Sequence, residues 1–448
     1  MHMVIIQQVL FLIILGIVGW FISKRIQIIS STIRLGRSED RTDHPAKRFR
    51  TMLRIAFGQK KMFDRPLIGF LHFIVYAGFF FIFLEVLEIL LDGILGTHRL
   101  FAPWLGTFYP YLIGFFELLA LGVLIACSIF LVRRAVIKVE RFQPERHREM
   151  SGWPALDGKI ILLFEIILML AILTMNAADT TLQAMGSAHY APTGSFAISQ
   201  FLEPLFTGWS ESSLIVYERL AWWIHILGIF AFSVYLTYSK HLHIALAFPN
   251  TYFARLTPKG AMRNMPEITS EVKLMLGLET TPGTENIVPD RFGAKDVQDL
   301  SWKSLMDAYA CTECGRCTSA CPANLTGKLL SPRKIMMDTR DRLEDIGKNM
   351  QAHGGKFVDD GKSLIDDYIS QEELLACTSC NACVQECPIL INPLDIILQL
   401  RRYKVMDEAQ APNSWNMMFQ NLETNQAPWK FSPADRFQWA AQLNQSDQ

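Results

Sequence analysis

One cysteine phrase occurs twice in this chain: Cys311-x2-Cys314-x2-Cys317-x3-Cys321-Pro322, and again Cys377-x2-Cys380-x2-Cys383-x3-Cys387-Pro388. Eight of its nine cysteines fall inside these two runs. The spacing is that of a two-cluster bacterial ferredoxin, in which three close thiolates hold one 4Fe–4S cube and the fourth, before proline, reaches the other. A structural zinc ion takes four ligands in a closed tetrahedron, usually as two CxxC pairs. A disulfide framework belongs to small secreted domains. Neither pattern is present. The crossed rule assigns cluster one to Cys311, Cys314, Cys317 and Cys387, and cluster two to Cys377, Cys380, Cys383 and Cys321. It also ties residues 322–376 to the metal core. The ninth cysteine, Cys127, lies in an apolar run and reads as a buried small hydrophobe.

The apolar residues collect in the first 240 positions, in five runs at about 3–22, 66–91, 110–132, 160–178 and 217–239. Each approaches the roughly 20 residues that a helix needs to cross a bilayer. The first run lacks a basic front and a small-residue cleavage site, so it reads as a membrane helix and not as a cleaved signal peptide. Segment 24–65 holds twelve Lys and Arg against four acids, and 133–159 holds seven against four. The loop 92–109 has only Arg99, and 179–218 has neither Lys nor Arg. The positive-inside rule then places the N-terminus outside and everything after Lys240, clusters included, in the cytoplasm. The expected protein is all-α: a five-helix membrane domain over 1–243, a connector over 244–300, a helical ferredoxin domain over 301–400 and a tail over 401–448. The connector is broken by Pro249, Pro258, Pro266, Pro282 and Pro289. In the tail, Trp415, Trp429 and Trp439 suggest packing onto the domain ahead of partner docking.

Ionisable residues inside a membrane are functional suspects because burying them is costly. On a fifth helix continued through residue 243, His225 and His243 are five turns apart on one face, roughly 27 Å along the axis. His241 points to the other face, toward headgroups or solvent. His72 begins the second helix at a depth similar to His243, so these two suit the axial positions of a b haem. Glu85, Glu88, Glu117 and Glu165 are the acids within or beside the helices. Glu85 and Glu88, three apart on one face and near His98, are the candidate quinone or proton-transfer patch, against a bland alternative in which Glu88 faces headgroups and Glu85 bonds a neighbouring helix. The basic segment 24–65 marks the cytoplasmic side and touches anionic lipid.

Two family resemblances sharpen these expectations. The stretches from His225 to Gly228 and from Tyr238 to Ile244, with Phe70-Leu71-His72-Phe73, resemble the respiratory nitrate reductase gamma-subunit family, a five-helix di-haem cytochrome b. That resemblance implies one haem on His72 and His243. The family's second histidine of the second helix, ten residues on, is Ile82 here, which leaves His225 without its partner. His98 and His189 are possible substitutes, and His72 with His225 around a single haem is an alternative. The phrases Cys311-Thr-Glu-Cys-Gly-Arg-Cys-Thr-Ser-Ala-Cys-Pro322 and Asn324-Leu-Thr-Gly-Lys-Leu-Leu-Ser-Pro-Arg-Lys334 resemble the small iron–sulfur subunit of heterodisulfide reductase. Fusions of this kind resemble membrane-bound iron–sulfur oxidoreductases that link electron-transfer flavoprotein or thiol–disulfide chemistry to quinone. Those relatives carry CCG motifs, and this chain has no adjacent cysteines. A separate flavoprotein or CCG-type subunit is therefore the expected partner.

No Rossmann fingerprint or P-loop occurs, so no nicotinamide, flavin or nucleotide site is expected. No catalytic triad is read either. The function that follows is electron transfer in a bacterial or archaeal inner membrane, between a cytoplasmic redox partner, two 4Fe–4S clusters, one or two b haems and the quinone pool. Two alternatives remain open at this level: a quinol-linked subunit of a heterodisulfide-type thiol reductase, and a membrane-anchored redox sensor or scaffold.

Overall fold

The structure is a computed structural model that describes residues 2–278 and 291–445. Pro282 and Pro289 of the connector lie outside the described residues. Five helices are long and apolar enough to span a bilayer: α1 (His2–Ile33), α2 (Pro66–Leu95), α3 (Tyr109–Ala135), α4 (Trp153–Ala184) and α5 (Glu211–Leu236). With mean hydropathies of 1.5 to 2.6, they can satisfy their backbone groups internally where no water competes. Proline stands in the first turn of α2, α3 and α4, where its missing N–H costs nothing. Ser210 caps α5 by accepting from the Ser213 amide.

Two of these helices depart from the sequence expectation in ways that matter. The expected first span ends near residue 22, at Lys24 and Arg25, but α1 continues to Ile33. Arg25 does not stop the helix because its charge is met internally: Nη2 donates to Glu344 at 2.6 Å and Nε to the Thr237 carbonyl at 3.2 Å. The fifth helix, in contrast, stops early. After Leu236 the backbone turns, and Ser239 is extended (φ −106°, ψ 161°) with its hydroxyl accepting from the His241 amide. A single 3-10 turn over Lys240–Leu242 leads into α6 (His243–Tyr252). His225 and His243 therefore sit on different helices, and the five-turn register between them does not exist.

The C-terminal domain is built from α7 (Trp302–Ala310), α8 (Pro332–Ala352) and α9 (Pro393–Arg402), with the cysteine runs in the turns between them. Among the described residues there are no strands, only two isolated bridges. Ser301 and Ser331 cap α7 and α8. Ala308, Tyr309, Leu343, Ile346, Ile396 and Leu400 form its buried centre. Ile29 from α1, and Leu242 and Ala247 from the α5–α6 region, belong to the same core. The domain thus sits at the end of the bundle where α1, α3 and α5 finish and α2 and α4 begin. Beyond it lies α10 (Asn413–Asn425). Trp429 and Trp439 are 58 % and 63 % exposed, so those two do not pack onto the domain as expected.

The basic segment 24–65 grips this domain rather than only facing lipid. Arg37 exchanges backbone bonds with Leu300 and Trp302, the Trp302 indole donates to the Glu39 carbonyl, and Arg48 donates to the carbonyls of Tyr252 and Ala254. From the 133–159 loop, Glu149 accepts from the fully buried Arg333 at 2.8 Å and from Ser331 at 2.6 Å. Arg333 also donates to the Arg141 carbonyl at 2.6 Å. Both basic loops are mortised into the cysteine domain.

Candidate functional site

The two cysteine runs adopt one backbone shape. Glu313 and Ser379, at equivalent places in the runs, have φ of 53° and 57°; Gly315 and Asn381, also equivalent, have φ of 71° and 63°. Glycine and asparagine tolerate this left-handed region best, since the first has no Cβ and the second bonds locally. The alternation curls each run inward. Cys311, Cys314, Cys317 and Cys387 line one small cavity. Cys321, Cys377, Cys380 and Cys383 line a second. Each cavity thus groups three thiols of one run with the fourth of the other. Among the described residues no three His, Cys, Asp or Glu side chains converge tightly enough for a single metal ion; the thiols surround a space instead.

Burial pushes the Cys311, Cys383 and Cys387 thiols up to about 12, with neighbouring thiols adding to the effect. Backbone amides already aim at sulfur: Ser379 N–H donates to Cys377 Sγ at 3.4 Å and Ile391 N–H to Cys387 Sγ at 3.2 Å. Such donors stabilise a thiolate and tune cluster potentials. Cys380 is the exposed member of the set. Cys127 is buried in the apolar core of the bundle, as read from sequence.

A third, larger cavity of ≈ 300 Å³ lies between the bundle and the domain, with His72, His241, His243, Glu165 and Cys127 on its wall and Cys314 at its other side. His72 and His243 are each pre-oriented. His72 Nδ1 lies 2.9 Å from Gln59 Oε1, and His243 Nδ1 lies 3.1 Å from the Lys240 carbonyl. Both partners are acceptors, so each Nδ1 carries the proton and each Nε2 keeps its lone pair, the arrangement found behind metal-ligating histidines. The sequence reading directs His241 toward headgroups or solvent. The structure turns it into this cavity instead, because the break after α5 resets the helical phase. Its ring packs on Phe232 and on His243, with centroids 5.4 Å away in each case, and it has no such acceptor behind it. Burial lowers the pKa of both His241 and His243.

Glu313, between Cys311 and Cys314, links the cysteine cavity to the histidine turn. It is buried, ion-paired to Lys240 at 2.5 Å and to Arg340. Burial alone would raise its pKa, but Arg340 and Lys240 outweigh that and hold it low. Sequence reasoning singles out neither Gln59 nor Glu313. Gln59 carries no periodic signal; a buried amide at φ 47° is visible only in three dimensions.

The remaining candidates are placed as follows. His225 is buried, with Nδ1 3.0 Å from the Leu168 carbonyl; it lines neither the histidine cavity nor the cysteine cavities. The His98 and His189 rings lie tilted to one another with centroids 5.8 Å apart, beside Tyr190, and His98 faces Asp179 at 3.6 Å. Glu88 does not face headgroups: it is buried, accepting from the Phe101 amide at 2.8 Å and the Tyr109 hydroxyl at 2.9 Å. Glu85 does not bond a neighbouring helix through Oε1, which is buried without a partner. Glu117 is consumed by Asn176 and the Ile198 and Ser199 amides. Glu165 stands on the wall of the histidine cavity.

Residues 310–391 match the 4Fe-4S dicluster domain family. The chain is thus an iron–sulfur protein whose cluster domain is joined to five helices fit to cross a membrane. It is 26 % identical to the probable iron-sulfur-binding oxidoreductase FadF of Bacillus subtilis, over 97 % of this chain and 60 % of that protein. It is 28 % identical to the EtfAB:quinone oxidoreductase of Syntrophomonas wolfei, over 89 % and 54 %. A third similarity, 32 % over 24 % of the chain and 52 % of the relative, is to one of the subunits of the ferredoxin/F420H2-dependent CoB-CoM heterodisulfide reductase of Methanosarcina acetivorans. The chain therefore spans a little over half the length of these three relatives. No solved structure matches it.

Proposed function

We propose that the protein is a membrane electron-transfer oxidoreductase subunit that connects a soluble redox partner to membrane quinone. Cys311, Cys314, Cys317 and Cys387 would hold one 4Fe–4S cluster, Cys321, Cys377, Cys380 and Cys383 the other, and His72 with His243 a b haem. Bound there, these groups supply a series of one-electron couples between two-electron partners. The observation that carries the haem assignment is the pair of Nε2 atoms, each ring oriented by an acceptor behind Nδ1, in one cavity that also contains Cys314.

The protein's own residues define the ends of such a relay. Exposed Cys380 marks the second cysteine cavity as the side that a soluble partner, a flavoprotein or CCG-type subunit, would approach. The first cavity faces the histidines. Of the four acids considered for quinone protonation, Glu165 lines the histidine cavity and Glu85 retains an unpartnered oxygen, while Glu88 and Glu117 are held in structural hydrogen bonds. The names of the relatives, one a quinone oxidoreductase and one a heterodisulfide reductase subunit, support quinone on one side and a flavoprotein or thiol system on the other.

The test is made on detergent-solubilised full-length protein. Non-haem iron should approach about eight per chain, by the ligand count of two cubes, and dithionite should bring up b-type optical bands. Replacing His72 or His243 by alanine should abolish those bands, whereas His241→Ala should keep them. Bands that survive both the His72 and His243 changes sink the assignment.

A further inference from the structure

Buried cations in this protein are consistently met by carboxylates. Arg25 pairs with Glu344, Lys240 with Glu313 and Asp157, Arg333 with Glu149, and Arg342 with Asp296 and Asp360. This is the expected rule, since an isolated charge taken from water is expensive. The histidine cavity breaks it. Buried Arg316 and half-buried Arg134 and Arg141 line that cavity, with Arg133 beside them, and none of the three has a carboxylate at ion-pair distance among the described residues.

Each guanidinium is nonetheless held in place. Arg134 lies over the Phe142 ring, 4.1 Å from its centroid. It also fills the space beside Gly158, where a Cβ would come within 2.7 Å of Nη1. Arg141 lies against the same ring at 5.0 Å, and its Nε is buried without a partner. Arg316 is buried and fixed by the Lys61 carbonyl at 2.9 Å. Three positioned guanidiniums, none ion-paired, thus line a cavity whose other walls are largely apolar and imidazole, with Gln59, Arg133, Glu165 and Lys240 also on them. Their planar donor forks match carboxylates in a bidentate manner, which a lysine would not.

We propose that Arg134, Arg141 and Arg316 form a dicarboxylate-binding end of the histidine cavity that seats the two propionates of the haem inferred above, and so fixes which edge of the ring faces Cys314. This rests on the haem reading but is separable from it. The competing role for the same charges is to offset the thiolates of the neighbouring cluster alone.

The experiment uses the full-length protein produced under haem limitation, titrated in detergent with haem b and with haem b dimethyl ester. The ester keeps the iron and the ring but has no carboxylate. The wild type should bind the free acid about tenfold more tightly or better, the scale of one lost charge-assisted hydrogen bond. Arg134→Gln/Arg141→Gln should lose that preference, and Arg141→Lys should recover little of it. Equal affinity of the wild type for acid and ester overturns the proposal while leaving the haem assignment standing. A double variant that keeps the preference but shifts the cluster midpoint potential overturns it in favour of the counter-charge role. Failure of the wild type to bind either porphyrin removes the haem assignment and this proposal together.

Discussion

At the scale of single residues, the cysteines are legible in the sequence and their supporting partners are not. Ligand spacing is written locally, so the crossed sets emerge directly from it, and the two cavities group the same eight thiols. Gln59 comes from a different segment than the helix it serves, and nothing in its neighbourhood announces that its amide orients His72. Sequence reasoning misplaces His241 for a definable reason: it extends helical phase across residues where the helix has ended. Gln59→Leu keeps the side-chain volume but removes the acceptor. It should weaken haem retention about 10- to 100-fold, the usual cost of losing a partner behind a ligating histidine, measured as the apparent dissociation constant of haem. A Gln59→Glu variant should retain haem, since a carboxylate accepts the same proton. Unchanged affinity in the leucine variant would show that Gln59 has no orienting role.

At the scale of elements, hydropathy locates the five long apolar helices described here but misjudges where several of them end, α1 and α5 most consequentially. Arg25 reads as an end because charge normally leaves lipid; here its partner, Glu344, lies 319 residues away. The break after α5 is set by tertiary bonds to the turn, including the Lys240 amide donating to Asp157 at 3.2 Å. The loop carrying Glu149 also gains its meaning from a distant helix. Burial works to raise the Glu149 pKa, but Arg333 and Ser331 more than reverse it, leaving it below the ordinary 4.5. A depressed carboxylate stabilises the fold fully above its unfolded pKa and loses that contribution as pH falls through the folded value. The stability gap between wild type and Glu149→Gln should therefore be constant from neutral pH down to about 5 and narrow below roughly 4.5, followed by limited proteolysis of the interface. Arg333→Met, which strands the buried carboxylate, should cost about 3–5 kcal/mol at neutral pH. A gap that widens in acid would show that the pair does not hold the loop.

At the scale of the whole molecule, charge asymmetry and composition separate a membrane half from a cluster half, but they do not reveal that the halves share one core. Ile29, Leu242 and Ala247 pack among Ala308, Tyr309 and Leu343, and long-range packing of this kind has no sequence periodicity. One consequence concerns topology. Because the domain is keyed to the ends of α1, α3 and α5, we expect the Lys- and Arg-rich loops and the cysteines to occupy the same side of the membrane. We expect that side to be the cytoplasm: a reporter fused after residue 448 should be active there, and the 92–109 loop should accept impermeant label from outside. Label reaching Cys380 from the outer face would reverse the orientation.

The sharing of thiols between the two runs also sets the timing of biogenesis. The first cavity lacks a thiol until Cys387 has left the ribosome, and the second, which borrows Cys321 from the first run, lacks one until Cys383 has. If these thiols hold the proposed clusters, neither cluster can close before all five long apolar helices have been synthesised. A stalled nascent chain ending before residue 377 would present the four sulfurs of the first run with neither set complete.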